Sequence, residues 1–227
     1  MAKTRWGTER TEAFSDGVFA IAITLLVLDL AVPEKDFDNL WRGIAHLWPA
    51  YLGYATSFLT IGGIWMSHHG LFSRLRFVDR AVMRLNLLLL MVVAFLPFPT
   101  RLASLGVHQA SAERAAVIFY GAVLLVISVL LSALWRAAAV HPDLLQPDVT
   151  AAELRRIGLY STPRIGLYVV FILVALPAPR VAAIGYFAMA LLGIVTAKGD
   201  DERADSGPHD SRGSATAGDE PAGDVGT

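Results

Sequence analysis

Apolar residues are gathered into six long blocks, and short polar segments separate them. The blocks cover residues 18–32, 47–66, 85–96, 115–134, 165–176 and 181–197. A helix needs about 20 residues to cross roughly 30 Å of hydrocarbon. The second and fourth blocks meet this length alone, the first, third and fifth do so with their amphipathic flanks, and the sixth is short but uninterrupted. The pattern predicts an all-α integral membrane protein with six transmembrane helices over residues 1–197.

Composition supports a lipid-facing surface. Of the 227 residues, 55% are hydrophobic and 17% are charged, whereas soluble domains carry about 25% charged residues. The net charge of -1 gives no strong field that would attract nucleic acid. The chain has no cysteine, which excludes disulfides and thiolate metal sites. We expect membrane lipids as surroundings, no nucleic-acid partner, no bound metal and no cofactor.

The first block could also be interpreted as a cleaved signal peptide, since it follows a basic start. Arg10, Glu12 and Asp16 lie close to or inside the apolar helix, however, and residues 32–34 make a poor small-residue cleavage site. We therefore interpret this block as a retained transmembrane helix.

Basic residues define the predicted orientation. Six spans divide the 19 Lys and Arg residues so that fourteen fall on the side of both termini and five on the other. The positive-inside rule then predicts a multi-pass protein of the cell membrane with cytoplasmic N- and C-termini. Trp41, Trp48 and Trp135 fall near predicted span ends, where tryptophan commonly lies at the membrane interface.

The last thirty residues differ from the rest. Residues 198–227 are a mixture of Gly, Ser, Asp, Ala and Pro with almost no large apolar side chain. Such a segment buries too little surface to offset its ordering entropy. We predict a disordered acidic cytoplasmic tail after a single six-helix domain.

One face of the first helix carries a stripe of small and apolar residues. At 100° per residue, Gly17, Ile21, Thr24 and Leu28 lie together, with Leu25 at the edge; we call this set the Ile21 stripe. Such a face usually serves helix packing, and a threonine can satisfy its hydroxyl on the carbonyl four residues back. The pattern alone leaves packing and pore lining open.

Polar residues of three spans are predicted at one depth. Asp16 lies about 140° from the Ile21 stripe, and topology places Trp65, His68, His69 and Asn86 at its level. Unpaired polar groups in hydrocarbon cost several kcal/mol, so we expect these groups to form an interhelical hydrogen-bond cluster. A proton relay and a metal site are less favoured alternatives. Adjacent histidines diverge by 100° on a helix and cannot share one ion.

The start of the first helix resembles a known family. Arg10 is followed at fixed spacing by Phe14, Ser15 and Asp16, and then by the apolar run 17–26. This segment resembles the first-helix signature of the transmembrane protein 175 family of potassium channels. Trp65, the following histidines and Asn86 resemble polar positions of that family's second and third helices. We expect the signature residues Arg10, Phe14, Ser15 and Asp16 to belong with them to one structural polar cluster.

The resemblance implies a homotetramer with a central pore lined by the first helix of each chain. It places rings of apolar side chains and a threonine layer at Ile21, Thr24, Leu25 and Leu28, with K⁺ as the permeant ion. Asp29 would then form an acidic outer mouth, although a solvated helix-end carboxylate is an equal alternative. The implied function is a K⁺-permeable channel with modest preference over Na⁺.

Other functions are weighed by the motifs they require. A re-entrant carbonyl filter sequence is absent from the chain, and so are hydrolase, metalloprotease and phosphate-loop motifs, so an enzyme is not expected. A proton-conducting channel is the nearest alternative, because histidines titrate near neutral pH. A small secondary transporter would use helices broken near the midplane, for which 62–63 and 97–99 are candidates.

Overall fold

A computed structural model of the chain describes residues 6–107 and 109–205, with side chains of 35–36, 151, 153, 155–162 and 195–205 excepted. The described part is mostly helical. The helices are α1 (Thr8–Leu25), α2 (Leu40–His46), α3 (Trp48–Phe72), α4 (Arg80–Phe95), α5 (Pro97–Gly106), α6 (Ala110–Val140), α7 (Ala151–Ala175) and α8 (Pro179–Asp205). Three 3₁₀ segments, Leu26–Asp29, Glu34–Asn39 and Pro142–Leu144, and two short strands, β1 (Trp6–Gly7) and β2 (Phe77–Val78), connect them.

Three helical segments among the described residues are long and apolar enough to cross a membrane: Thr8–Asp29, Arg80–Gly106 and Ala110–Val140. Two shorter apolar helices, Pro163–Ala175 and Pro179–Ile194, follow. Helix α3 has 25 residues but is not among the three, since its Gly, Ser, Thr and His residues lower its hydropathy. Each predicted apolar block is therefore mainly helical, and three of the six meet both criteria of a span.

Helix boundaries differ from the predicted blocks at two places. The first block was predicted to reach residue 32, but α1 tightens into the 3₁₀ turn Leu26–Asp29 and helical structure stops there. The third block was predicted to end at residue 96, but Pro97 opens α5 and the chain stays helical to Gly106. Proline lacks the N–H that the first turn of a helix leaves unpaired, so it interrupts α4 while starting α5.

The candidate break in α3 is not a break. Helix α3 runs without interruption past residues 62 and 63. Glycine keeps its backbone N–H and lowers helix stability by only about 1 kcal/mol relative to alanine, so two glycines do not break the helix. Of the two candidate breaks, only the proline-containing segment 97–99 coincides with a helix boundary.

Helix α1 lies against α3 and α4, and α3 lies against α5 and α8. Helix α6 lies at the centre of the remaining contacts, because it packs against α4, α5 and α7. Fully buried apolar side chains fill these contacts, among them Phe19, Ile61, Leu89 and Ile127. One bundle therefore carries α1 at its edge, with one face packed and the other open.

Short backbone pairings join the loops on the side of the N-terminus. Strand β1 pairs antiparallel with β2, with Trp6 opposite Val78. The Arg76 N–H donates to the Leu144 carbonyl at 2.8 Å. The segment that precedes α1 is thus connected through the α3–α4 loop to the α6–α7 loop.

Helix α8 continues to Asp205, into the segment predicted as a tail. The remainder of that prediction, residues 206–227, lies outside the described residues.

Candidate ion pathway and its polar cluster

Helix α1 has two contrasting faces. The face packed in the bundle carries buried side chains, namely Thr11, Ser15, Phe19, Ala22 and Leu26. The opposite face carries the Ile21 stripe, in which Ile21 is 61% exposed, Leu25 41% and Leu28 70%. Thr24 and Gly17 are exposed on the same face. A single chain therefore leaves this stripe uncovered.

The stripe is shaped by a change in helix type. Because the turn Leu26–Asp29 is 3₁₀, in which side chains three apart eclipse one another, Leu28 lies nearly above Leu25. The Thr24 hydroxyl donates to the Ile21 carbonyl at 2.9 Å, three residues back rather than the expected four. With its proton turned to the backbone, the Thr24 hydroxyl oxygen keeps lone pairs available for an outside group.

Part of the predicted polar cluster forms a buried bridge across three helices. The Asn86 side-chain amide on α4 donates to Ser15 Oγ on α1 at 3.0 Å, and Asn86 Oδ1 lies 2.8 Å from His68 Nε2 on α3. Ser15, His68 and Asn86 are each fully buried. Since Asn86 Oδ1 can only accept, His68 Nε2 carries the proton. His68 Nδ1 then has no hydrogen-bond partner among the described residues.

Aromatic rings enclose the buried histidine. The His68 ring stacks on Phe72 with centroids 4.3 Å apart, and Phe19 meets it edge-on at 5.3 Å. These contacts hold the imidazole in one orientation, so the hydrogen bond to Asn86 is geometrically fixed.

The rest of the cluster forms two polar contacts closer to the surface. The Trp65 indole N–H donates to Asp16 Oδ1 at 2.8 Å. His69 Nδ1 lies 2.8 Å from Glu12 Oε1, and the Trp65 and His69 rings stack at 5.6 Å. Both contacts connect α1 to α3. The adjacent histidines have different partners, Asn86 for His68 and Glu12 for His69.

Two members of the predicted cluster lie apart from it. Arg10 is exposed and forms no ion pair with any residue that the structure describes. Phe14 is 56% exposed, beside the Ile21 stripe. The signature that begins α1 is thus divided between the two faces of the helix.

The chemistry of the cluster suits a structural role, which is to hold α1 in one orientation against α3 and α4. Its hydrogen bonds connect α1 to α3 and α4 at one level, and such bonds between helices resist rotation. Within the described residues, no group of three or more His, Cys, Asp and Glu side chains is placed to hold a metal ion. The cluster therefore orients the Ile21 stripe away from the bundle.

At its other end, α1 carries a charged contact. The Asp29 carboxylate lies 3.8 Å from Arg101 Nε on α5. The Asp29 side chain is 17% exposed and that of Arg101 65%. Asp29 is thus paired at the surface, neither a free carboxylate nor fully solvated.

Sequence reasoning missed a second buried polar network. Ser57 Oγ lies 2.7 Å from Thr100 Oγ1 and 3.0 Å from the Tyr120 hydroxyl, which joins α3, α5 and α6. The polar triplet of Thr56, Ser57 and Thr60 within an apolar block was the available signal, because polar groups in a membrane helix need partners.

The packed helices, the exposed apolar surfaces and the interhelical polar bonds define a multi-pass helical membrane protein. Residues 10–97 match the model of a protein family described as the endosomal/lysosomal potassium channel TMEM175. A Streptomyces collinus protein named as a potassium channel is 45% identical over 147 residues, which cover 64% of this chain and 71% of that protein. The chain belongs to the TMEM175 family, as the sequence resemblance predicted.

Other relatives carry two kinds of name. A Chamaesiphon minutus protein named as a potassium channel is 41% identical over 166 residues, 72% of this chain and 81% of that protein. The Homo sapiens endosomal/lysosomal proton channel TMEM175 is 36% identical over 151 residues, 62% of this chain but 30% of that longer protein. The family is therefore one of cation channels rather than enzymes.

Solved structures share the fold. The crystal structure described as a lysosomal potassium-selective channel TMEM175 homolog from Chamaesiphon minutus superposes with a TM-score of 0.75 at 35% identity, over 84% of this chain and 97% of that one. The MtTMEM175 potassium channel superposes with a TM-score of 0.60 at 21% identity, over 87% and 94%, a likeness of fold alone.

Proposed function

We propose that the protein is a K⁺-permeable cation channel whose pore is lined by α1 of four identical chains. The observation that carries the proposal is the outward Ile21 stripe, with Ile21 61% and Leu28 70% exposed while the polar face of α1 is bonded to its own bundle. One chain cannot enclose this stripe, whereas a closed ring of copies can. The names of the bacterial relatives support the same function.

The stripe suits a narrow apolar pore. Rings of Ile21, Leu25 and Leu28 would form hydrophobic constrictions, and such constrictions gate by dewetting. A cation passing an isoleucine ring must lose part of its hydration shell, and K⁺ loses water more easily than Na⁺. Thr24 adds the single hydroxyl layer, with lone pairs free to face the ion. A modest K⁺ preference follows.

The proposal includes six membrane spans per chain and cytoplasmic termini. Helices α3, α7 and α8 would supply the three spans that do not meet both criteria by themselves. In the bundle, α3 contacts α1, α5 and α8, so protein neighbours cover its polar groups. The fourteen-to-five distribution of basic residues supports the orientation in the cell membrane.

A flux assay on purified protein in liposomes tests the proposal. K⁺ or Na⁺ gradients drive the flux, and Ile21→Ala, Thr24→Ala and the matched control Ile184→Ala are compared with the wild type. Ile184 on α8 is 63% exposed, so the control removes the same side chain from an equally open surface. We expect K⁺ flux above Na⁺ flux in the wild type and the control, and weakened selectivity in Ile21→Ala.

Two results would contradict the proposal. Absence of flux for every monovalent cation from folded protein would remove the channel function. Unchanged ion selectivity in Ile21→Ala, or an equal change in Ile184→Ala, would show that the Ile21 stripe does not line the pore.

Proton conduction is the second candidate, favoured by the name of the human relative. A dehydrated pore with a hydroxyl layer at Thr24 could pass protons along hydrogen bonds without passing a hydrated cation. A proton gradient in the same liposomes, without K⁺ or Na⁺, separates the two functions. A secondary transporter is less supported, because α3 is continuous through residues 62–63.

A further inference from the structure

The end of α1 opposite the polar cluster carries two charges of opposite sign. Asp29 follows Leu28 directly in the 3₁₀ turn. Successive residues of such a turn differ by about 120°, so Asp29 is turned away from the Ile21 stripe. Its carboxylate lies 3.8 Å from Arg101 Nε on α5. In each chain, the carboxylate that could contribute to an acidic mouth therefore has a basic residue beside it.

Exposure makes the arginine the more accessible of the two charges. The Arg101 side chain is 65% exposed and the Asp29 side chain 17%. An ion pair with one exposed partner contributes little to stability, so the loss of either charge should change the potential at this end of α1 more than it changes folding. The two charges of the pair cancel in each chain, and four copies around a pore would also sum to zero.

We propose that Arg101 is the counter-charge that sets the electrostatic potential at the outer mouth, and that it thereby determines K⁺ conductance. This inference rests on the proposed pore function. Removal of the guanidinium would leave four unneutralised carboxylates around one opening. Charges of one sign around a low-dielectric opening concentrate the counter-ion there. Removal of the carboxylate would instead leave four arginines that repel K⁺.

Ionic strength separates this electrostatic effect from a structural one. The screening length is about 30 Å at 0.01 M salt and about 3 Å at 1 M. A change of mouth charge should therefore alter conductance strongly in dilute KCl and hardly in concentrated KCl. A distorted pore would conduct differently in both.

The test is the single-channel K⁺ conductance of the full-length protein in planar bilayers of neutral lipid, in symmetric KCl of about 10 mM and about 1 M. Arg101→Gln should raise the conductance roughly twofold or more in dilute KCl, and Asp29→Asn should lower it. The double variant and Arg101→Lys should resemble the wild type. Single-channel recording reads only folded channels, so a lower yield of a variant does not affect the comparison.

Arg180→Gln is the matched control. Arg180 Nε lies 3.1 Å from Glu113 Oε1, and the Arg180 side chain is 76% exposed. This pair joins α8 to α6, neither of which carries the Ile21 stripe. Its loss should leave the conductance unchanged at both salt concentrations.

The outcomes distinguish this inference from the proposed function. Wild-type K⁺ current with an unchanged Arg101→Gln conductance, or with a change equal in both salts, would overturn the role of Arg101 and leave the channel intact. No K⁺ current in the wild type would refute the channel and the inference together.

Discussion

Replacement of Asn86 by alanine tests whether the buried bridge holds α1 to the bundle. The Asn86 side chain makes hydrogen bonds at 3.0 Å to Ser15 Oγ and at 2.8 Å to His68 Nε2. Truncation removes both, and it leaves His68 with neither ring nitrogen bonded to a described residue, since Nδ1 already has no partner there.

The expected cost follows from these contacts. Hydrogen bonds between membrane helices contribute about 0.6 kcal/mol each, so the two lost bonds account for about 1 kcal/mol. The buried ring N–H left without an acceptor adds about 1–3 kcal/mol. Asn86→Ala should therefore lower the free energy of unfolding by about 2–4 kcal/mol.

Denaturant titration of purified protein in mixed lipid–detergent micelles measures this free energy. Leu87→Ala is the matched control, because Leu87 is the next residue of α4 and is 49% exposed. It should change the free energy of unfolding much less, since it removes an exposed isopropyl group rather than a buried hydrogen-bonding group. An Asn86→Ala variant as stable as Leu87→Ala would refute the bridge as a stabilising element.

Two further predictions concern other contacts of the bundle. Trp65→Phe keeps an aromatic ring but replaces the indole, and so removes the N–H that donates to Asp16 at 2.8 Å. It should cost about 1 kcal/mol in the same titration, and no loss of stability would show the bond to be dispensable. Gly121→Ala should lower the free energy of unfolding by about 1–3 kcal/mol, the typical cost of overpacking a core. A Cβ at this position would lie 2.7 Å from Cζ of the buried Tyr186 ring. Gly166→Ala, whose Cβ would meet nothing within 4 Å, is the control in melting temperature, and equal behaviour of the two variants would contradict the steric argument.

Several features of the polar cluster follow from pattern, whereas its pairings do not. Topology and hydropathy placed Asp16, Trp65, His68 and Asn86 at one depth, and the structure brings all four into hydrogen bonds. Which group meets which depends on the rotation and separation of three helices. Those quantities come from packing between helices whose bonded residues lie 18 to 71 positions apart in the chain, which local periodicity does not encode.

The pairing of Asp29 illustrates the same limit. Sequence left open whether this carboxylate forms an acidic mouth or lies in solvent. Its partner Arg101 is distant in sequence and lies on α5, a helix whose extent to Gly106 was not predicted. Only the position of α5 beside the end of α1 decides that the two charges meet.

The sequence by itself determined the apolar blocks and the stripe along the first helix, because these depend on hydrophobicity and on the fixed 100° periodicity of a helix. It also identified the family, through a short signature with strict spacing. Tertiary structure alone decided that the Ile21 stripe is the open face of α1, that Ser15, Asn86 and His68 form one bridge, and that Arg101 neutralises Asp29. These are contacts between segments far apart in the chain, and their geometry is set by how whole helices pack.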